Sequence, residues 1–367
     1  MQVLVTGSEG FIGKNLVIGL EQIGIRTLRY TRNNDVKDLP TLIKKSDFII
    51  HLAGENRPVA EEHFDIVNFG LTEFICEAIQ NLGKPTPIIF ASSTQAEIDN
   101  PYGRSKLKAE NLLRKLEIDT GSPVYIYRLP GVFGKFCKPN YNSVVATFSH
   151  NISRGLPVVV NNPTATIKLV YIDDVVAAFI AVVQKISPTK KETTIQPEYV
   201  ITLKELVAQI ERFHKSRESL VSERVGIGLI RKLYSTFVSY IPPDNFAYLL
   251  SDHKDERGTF AEVLKTHDSG QFSFFTAKPG VTRGGHYHHT KTEKFLVVSG
   301  SAKFEFRNII TDENFEIRST SEQLKVVETV PGWAHNITNV GKEDMVVMLW
   351  ANEIFDPENP DTTSYEI

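Results

Sequence analysis

The chain has 367 residues, 41% of them hydrophobic and 23% charged, which is the composition of a soluble globular protein and too long for one ordinary core, so two or three domains are expected. A formal charge of −3 gives no electrostatic drive towards nucleic acid or an anionic membrane, which points to a small-molecule ligand. Cys76 and Cys137 cannot build a disulfide framework, the longest apolar run (Val175 to Val183) is too short to span a bilayer, and the chain opens on a strand with no room for a signal peptide, so a reducing, cytoplasmic setting is expected.

Gln2 to Thr6 reads as a buried strand and runs straight into Gly7-Ser8-Glu9-Gly10-Phe11-Ile12-Gly13, then a helical pattern over Lys14 to Ile23. Strand, glycine turn and helix form the dinucleotide-binding arrangement: the glycines let backbone approach a pyrophosphate, and the helix N-terminus favours its charge. The next strand, Ile25 to Tyr30, is followed by Thr31-Arg32 where NAD-selective enzymes usually carry an acid. Arg32, with Arg29 beside it, can pair with a 2′-phosphate, so NADPH is the expected cofactor. Strands at Phe48 to Leu52, Pro87 to Ala91 and Val124 to Arg128 alternate with helical stretches, which predicts a doubly wound parallel sheet of the Rossmann kind. Its ligand belongs at the carboxyl ends of the strands, where His51-Leu52-Ala53-Gly54 and Ala91-Ser92-Ser93-Thr94 lie.

Pro101-Tyr102-Gly103-Arg104-Ser105-Lys106 then opens a helix ending near Gly121. Tyr102 and Lys106 are one turn apart on one face. A free phenol titrates near 10, about three units too high for proton exchange at neutral pH, and a neighbouring ammonium is expected to lower it. Ser93 can hold the substrate oxygen. Tyr102, Lys106 and Ser93 are therefore the expected catalytic residues.

From Ser143 onward a smaller substrate lobe is expected, with a helical stretch, a strand Val158-Val159-Val160, an apolar helix Val175 to Ile186, a capping box at Thr202-Leu203-Lys204-Glu205 and an amphipathic helix Ile227 to Tyr240. Pro242-Pro243 marks the expected boundary, giving domains 1–242 and 243–367. Beyond it strands and turns dominate from Phe260 to Leu349, which predicts an all-β barrel.

Within that barrel, GVTRGGHYHHTKTEKFLVVSG (Gly280 to Gly300) sets His286 and His288 one residue apart, on one face of a strand expected to continue into Glu293, and His335 lies downstream in PGWAHNITN. Three imidazoles and a carboxylate suit a divalent metal. Zinc, nickel, iron and manganese all accept this set and ligand type alone does not choose among them; zinc is the working expectation.

Several motifs carry resemblances. TGSEGFIG, HLAG, VNFG around Asn68, the Ser93/Tyr102/Lys106 set, RLPGVFG (Arg128 to Gly134) and YIDDVV (Tyr171 to Val176) stand in the order of the extended short-chain dehydrogenases/reductases, which mostly act on nucleotide-activated sugars. The segment between Ser93 and Tyr102 is short for that family. The spacing of Gly280, His286, His288, Glu293 and Gly300, with Pro331, Gly332, His335 and Asn339, resembles the cupin motifs. Asp255-Glu256-Arg257-Gly258 with Phe260 and Glu262 resembles the branch containing the metal-free dTDP-6-deoxy-4-ketosugar epimerase, from which the His/His/Glu/His set departs. With KPNYNSV (Lys138 to Val144) and the ending EIFDPENPDT, the whole chain is similar to the bifunctional capsular polysaccharide synthesis enzymes of the CapF type.

That resemblance implies a UDP-4-keto-6-deoxy sugar as substrate, C3 epimerisation in the cupin, then NADPH-dependent reduction at C4, giving UDP-2-acetamido-2,6-dideoxy-L-talose for N-acetyl-L-fucosamine in capsules or O-antigens. The order follows from chemistry, because a proton at C3 is acidic only while C4 is a ketone. Gly7, Gly10, Phe11, Ile12, Gly13, Arg32, Leu52, Ala53 and Lys106 are expected to hold NADPH, and a homodimer is expected. Two other readings stay open: a plain 4-ketosugar reductase whose cupin serves dimerisation or sugar binding, and an NADPH-sensing regulator, which the presence of Ser93, Tyr102 and Lys106 disfavours.

Overall fold

Gln2–Thr6 (β1) is apolar on both faces, and a strand of that kind is stable only where helices cover a parallel sheet from both sides. In the computed structural model, which describes residues 1–56, 60–185 and 192–367, β1 lies inside such a sheet. Arg26–Tyr30 (β2), Phe48–His51 (β3), Ile88–Ser93 (β4) and Val124–Leu129 (β5) join it. Gly131–Phe133 (β6), Thr166–Tyr171 (β7), Glu192–Thr193 (β8) and Tyr199–Thr202 (β9) follow in the chain. The sheet order is β2-β1-β3-β4-β5-β8 with every pair parallel, while β6, β7 and β9 make a separate three-stranded sheet. From β1 the chain turns to one side for β2 and crosses to the other for β3, so the sheet reverses direction there and opens a crevice at the carboxyl ends, where ligands of this architecture sit.

The core beneath the crevice is made by Leu4, Ile49, Ile88, Phe90 and Ile126 of the strands against Ile75, Ile79, Ala109, Leu113 and Leu116. The last three recur at helical spacing on Pro101–Thr120, so one face of that helix is buried against the sheet. Asn100 caps it, accepting from the Gly103 N–H at 2.7 Å, and Pro101 occupies its first turn. At Thr202 the expected capping box forms reciprocally: Glu205 N–H donates to Thr202 Oγ1 (3.1 Å) and Thr202 N–H to Glu205 Oε2 (2.9 Å).

Two local expectations give way. Val158–Val160 is not a strand and Val159 is 77% exposed; the run is flanked by Pro157 and Pro163 and pairs with no strand among the described residues. The strand of this region is β7, central between β6 and β9, whose residues Leu169 to Tyr171 are buried. The apolar helix begins at Ile172 and runs to Val183; its expected end at Ile186 lies outside the described residues.

The chain divides into two units, Met1–Ile210 with Arg231–Pro242, and Glu211–Ile230 with Pro243–Ile367. Residues 211–230 group with the second unit because Val221–Ser222 (β10) adds as a parallel edge to Gly258–Thr266 (β12). Asp252–Asp255 (β11) pairs on β12, and the remaining strands of this unit are Gly270–Ala277 (β13), Thr282–Tyr287 (β14), Glu293–Ser299 (β15), Ser301–Asn308 (β16), Asn314–Thr320 (β17), Val326–Glu328 (β18), Trp333–Asn339 (β19), Met345–Ala351 (β20) and Thr363–Ser364 (β21). They form two sheets, β10-β12-β13-β20-β15-β18 and β17-β16-β19-β14-β21. Alternation fills the space between: Ala302, Phe304 and Phe306 of β16 and Ile337 of β19 meet Phe275, Phe295, Val297, Met345 and Val347 of the other sheet. Among the described residues both cysteines are free, and no helix is long and apolar enough to cross a membrane.

Candidate active sites

In the first unit, the chain leaves β1 through Gly7, whose φ of +67° and whose lack of a Cβ are both required: a Cβ there would stand 2.8 Å from the Ala53 nitrogen. The turn is closed by the Gly7 N–H on Tyr30 O (2.8 Å) and the Gly10 N–H on Gly7 O (2.9 Å). Gly10 heads the helix Phe11–Gln22 without a side-chain cap and no acid occupies the first turn, so the first N–H groups remain open to an anion. Gly7, Gly10, Phe11, Ile12, Gly13, Leu52 and Ala53 are thus placed at the carboxyl ends of β1 and β3, on either side of the crevice. Arg32 stands exposed two residues past β2 and makes no ion pair among the described residues. Arg29 is not available beside it, because Glu21 holds its guanidinium at 2.7 Å.

Beneath the turn runs a buried chain of hydrogen bonds. Thr6 Oγ1 accepts from the N–H groups of Leu52 and Ala53, both at 3.2 Å, and donates to His51 Nδ1 at 2.7 Å. Thr72 Oγ1 donates to Asn68 O (2.7 Å), so it accepts from His51 Nε2 (3.0 Å), which assigns the Nε2–H tautomer. Burial, reinforced by the Lys106 charge, pushes His51 down to about 3, so the ring is neutral. Asn68 then donates to Ser105 Oγ (3.0 Å) and to Glu55 O (3.0 Å) while accepting from Glu55 N–H (2.8 Å). Asp65–Gly70, which contains Asn68, is wound as a π-helix, a bulged geometry frequent at functional sites.

That chain ends at the helix carrying Tyr102 and Lys106. Lys106 is buried, donates to Ala91 O at 2.9 Å and lies 4.8 Å from the Phe90 ring centre. Burial lowers it to about 8 against the opposing pull of Glu110. Ser93 is the last residue of β4 and lies beside the Tyr102 phenol, whose pKa it lowers. The short link between them is a single 3₁₀ turn, Thr94–Glu97, pressed so closely on the helix that a Cβ on Gly103 would stand 2.2 Å from Gln95 O. Ser93, Tyr102 and Lys106 therefore converge. The phenol's acidity departs from expectation: burial raises its pKa and only Ser93 opposes this, because Lys106 Nζ, tied to Ala91, is 6.0 Å from the Tyr102 ring centre. Behind Lys106, Glu110 accepts from Ser92 (2.6 Å) and from Arg128 at two atoms (2.9 and 2.6 Å); burial would raise its pKa, but Arg128 and Ser92 hold it below the usual carboxylate range.

Beside this trio, Thr94 also lines a cleft of 790 Å³ whose other walls include Pro130, Asn140, Asn142, Ser143 and Lys168. Its size is that of a small-molecule site, and its amide, hydroxyl and ammonium groups suit a polar ligand.

In the second unit, His286 on β14, Glu293 at the head of β15 and His335 on β19 join His288, just past the end of β14, with one ligand atom of each within 4.8 Å of the others. Between Gly284 and His286 the β14–β19 register shifts, which sets His286 opposite His335. Only glycine permits that bulge: Gly284 has φ +122°, and a Cβ would stand 2.4 Å from His335 O. The strand does not continue into Glu293 as the sequence suggested. It stops at Tyr287, and a loop over residues 288–292 carries the chain into the opposite sheet.

His288 Nδ1 lies 2.6 Å from Asp361 O, which can only accept, so Nδ1 carries a proton and the ring turns its Nε2 into the cluster. That Nε2 lies 3.2 Å from Glu293 Oε2 and His335 Nε2 lies 3.4 Å from the same oxygen, while His335 Nδ1 is buried with no partner among the described residues. Burial, then His335 and His288, depress His286 to about 4; Glu293, which burial alone would raise, is held below the usual carboxylate range by His288, His335 and Lys291. Three imidazoles and a carboxylate converging in a buried pocket, one imidazole nitrogen among them unpartnered, form a donor set that fits a divalent metal. Two participants had escaped the sequence reading. Lys291 is buried with its Nζ 3.2 Å from Glu293 Oε1, a signal visible in HYHHTKTEKF only once the loop is known to fold inward. Asp361 had no local signal at all.

Comparison with known proteins follows the same division. Residues 3–201 match the NAD dependent epimerase/dehydratase family and residues 253–363 match the polysaccharide biosynthesis C-terminal domain. A Pseudomonas aeruginosa (strain PA103) protein named UDP-2-acetamido-2,6-beta-L-arabino-hexul-4-ose reductase is 56% identical over 363 residues, 99% of this chain and 98% of that one. The crystal structure of the capsular polysaccharide assembling protein CapF from Staphylococcus aureus superposes with a TM-score of 0.93 at 40% identity, covering 100% of both chains. A UDP-glucose 4-epimerase from Thermus thermophilus, at 18% identity and a TM-score of 0.55 over 65% of this chain and 99% of that one, shares the fold. The chain belongs to the NAD-dependent epimerase/dehydratase family, in the CapF-like branch that carries a polysaccharide biosynthesis C-terminal domain.

Proposed function

We propose that this chain is an NADPH-dependent reductase of a UDP-4-keto-6-deoxy sugar whose second domain, a metal-binding cupin, epimerises C3 before C4 is reduced. The product on this reading is UDP-2-acetamido-2,6-dideoxy-L-talose, a precursor of N-acetyl-L-fucosamine in capsule or O-antigen synthesis. Residues 1–242 carry the reductase and 243–367 the epimerase, in a cytoplasmic homodimer. The observation that carries the reductase half is the convergence of Ser93, Tyr102 and the buried Lys106 ammonium beside the cleft. The name of the Pseudomonas relative supports a 4-ketose as substrate. That name mentions reduction alone, so the epimerase half rests on the His286/His288/Glu293/His335 cluster.

Gly7, Gly10, Phe11, Ile12, Gly13, Leu52 and Ala53 bracket the crevice that would hold the dinucleotide, with Arg32 placed for the 2′-phosphate and Lys106 for the ribose. NADPH, when bound, supplies the hydride for C4. Ser93 orients the carbonyl oxygen, and Tyr102 donates the proton that neutralises it. The phenol's raised pKa suits a group that must arrive protonated. Lys106 assists once its ammonium turns from Ala91 O towards the phenolate left behind. In the cupin, His286, His288, Glu293 and His335 would hold a divalent ion, zinc being the working choice; when bound, it polarises the ketone and favours the enediolate form of the sugar.

The test is NADPH oxidation with a panel of UDP-4-ketosugars, with the products read by NMR after reaction in deuterated water. Reduction accompanied by enzyme-dependent deuterium at C3 is expected. The alternative, a plain reductase whose barrel only binds or dimerises, predicts reduction with no deuterium above the enzyme-free rate. Sedimentation of the same preparation distinguishes a dimer from a monomer.

A further inference from the structure

The loop over residues 288–292 delivers one metal ligand and positions the next, yet no strand holds it. Its anchors come from far along the chain. Asn352 grips one end, its Oδ1 accepting from the Thr292 N–H at 3.0 Å and its Nδ2 donating to Thr290 O at 3.3 Å. Asp361 takes the rest. Its Oδ1 accepts from the His289 N–H (2.8 Å), and its Oδ2 from the N–H groups of Thr290 (2.7 Å) and Lys291 (2.8 Å) and from the Thr290 hydroxyl (2.9 Å). Its backbone carbonyl takes the His288 Nδ1 proton at 2.6 Å.

One residue thus satisfies three successive amides and also fixes the ring of a ligand. The segment just beyond it is tied to the other side of the site: Ser364 pairs with His286, Thr363 with Tyr287, and the Tyr365 N–H donates to Gly285 O at 2.8 Å. The tail therefore braces His286 and His288 together.

We infer that Asp361 is a positioning residue of the barrel's metal site, preforming it by holding the loop over residues 288–292 and by fixing the His288 ring through Nδ1 so that its Nε2 points into the cluster. The inference rests on the metal-binding reading above and deepens it. The carboxylate suits the role because it only accepts, and every group facing it in the loop is a donor. An amide keeps one acceptor oxygen and turns an NH₂ towards amides that also donate. Outer partners that orient a metal-ligating histidine commonly change affinity by about 10–100-fold when removed.

The experiment uses the full chain, unmodified and as Asp361→Asn, and measures zinc affinity by competition with a chromophoric chelator, the rate of zinc release, and thermal midpoints with and without zinc. The expected result is zinc binding weakened by about 10–100-fold, faster release, and a smaller gain in midpoint on adding zinc, with NADPH oxidation on a directly reducible 4-ketosugar unchanged. Asp361→Glu, which keeps the charge, should recover part of the affinity. If Asp361→Asn does not fold, Thr290→Ala removes one of the four carboxylate contacts and should shift affinity in the same direction by a few-fold. Unchanged affinity and release in a folded variant overturn the inference. So does an equal fall of both midpoints at constant affinity, which is what a merely structural contact would give. Absence of zinc binding by the unmodified chain defeats the metal reading itself, and the inference with it.

Discussion

The two sites are built on opposite principles. In the first unit, Thr6, His51, Thr72, Asn68 and Ser105 form a chain in which each donor meets an acceptor, ending under the helix of Tyr102 and Lys106. In the second, His288 Nε2 and His335 Nε2 crowd one Glu293 oxygen at 3.2 and 3.4 Å, and His335 Nδ1 has no partner among the described residues. A self-satisfied network holds its geometry without help, so the reductase site is shaped before any ligand arrives. A buried cluster of imidazoles and a carboxylate that leaves one ring nitrogen unpartnered is not satisfied by its own contacts. One unit therefore presents a self-satisfied network, and the other a set of imidazoles and a carboxylate converging on a common point.

If that contrast is right, the two sites separate cleanly under mutation. The largest effect expected is from Tyr102→Phe, which removes the proton donor and should cut NADPH oxidation by about 10²–10⁴-fold, while deuterium still enters C3 of a UDP-4-keto-6-deoxy sugar. Loss of both activities together would mean that the sites are not independent. Next comes His288→Ala, or stripping with a chelator: zinc content measured by elemental analysis should collapse by more than the roughly 10–100-fold typical of an outer partner, and C3 exchange should stop. A substrate already in the product-like C3 configuration should still be reduced. Retained exchange in zinc-free protein would move the chemistry away from the cluster.

Arg32→Ala is expected to raise the NADPH KM by roughly 10–100-fold, the worth of one charge-assisted contact to phosphate, with little change for NADH. Equal use of both nucleotides by the unmodified enzyme would remove Arg32 from the site. The smallest effect is on stability. His51 titrates at about 3 in the fold against an ordinary 6.5, so the unfolded chain takes up the proton first as the pH falls. His51 therefore costs nothing above about pH 6.5 and destabilises the fold progressively down to about pH 3, by at most ~1.4 kcal/mol per pH unit. Denaturation followed between pH 7 and 5 should show this slope reduced in His51→Gln. An unchanged slope would mean that the ring is not buried neutral.

Motifs whose parts lie within one turn or one strand were legible in the sequence. The Tyr102/Lys106 pair, the glycine turn at Gly7, the Thr202/Glu205 box and the His286/His288 spacing all follow from a helix or strand period and need no knowledge of what packs above them. The parallel sheet was legible too, since alternating strands and helices admit few other arrangements. Only the tertiary structure decided the rest, because it turns on burial and on partners distant in the chain. Arg29 looked free until Glu21 met it, and Val158–Val160 looked like a strand but pairs with none among the described residues. Tyr102 looked acidified by its lysine, yet desolvation acts on the phenol through everything that surrounds it, while the lysine's charge was already committed to Ala91. Asp361, some 70 residues from the loop it holds, reaches it only when the barrel closes: its distance in sequence leaves no periodicity to read, and its role exists only as hydrogen bonds across folded backbone.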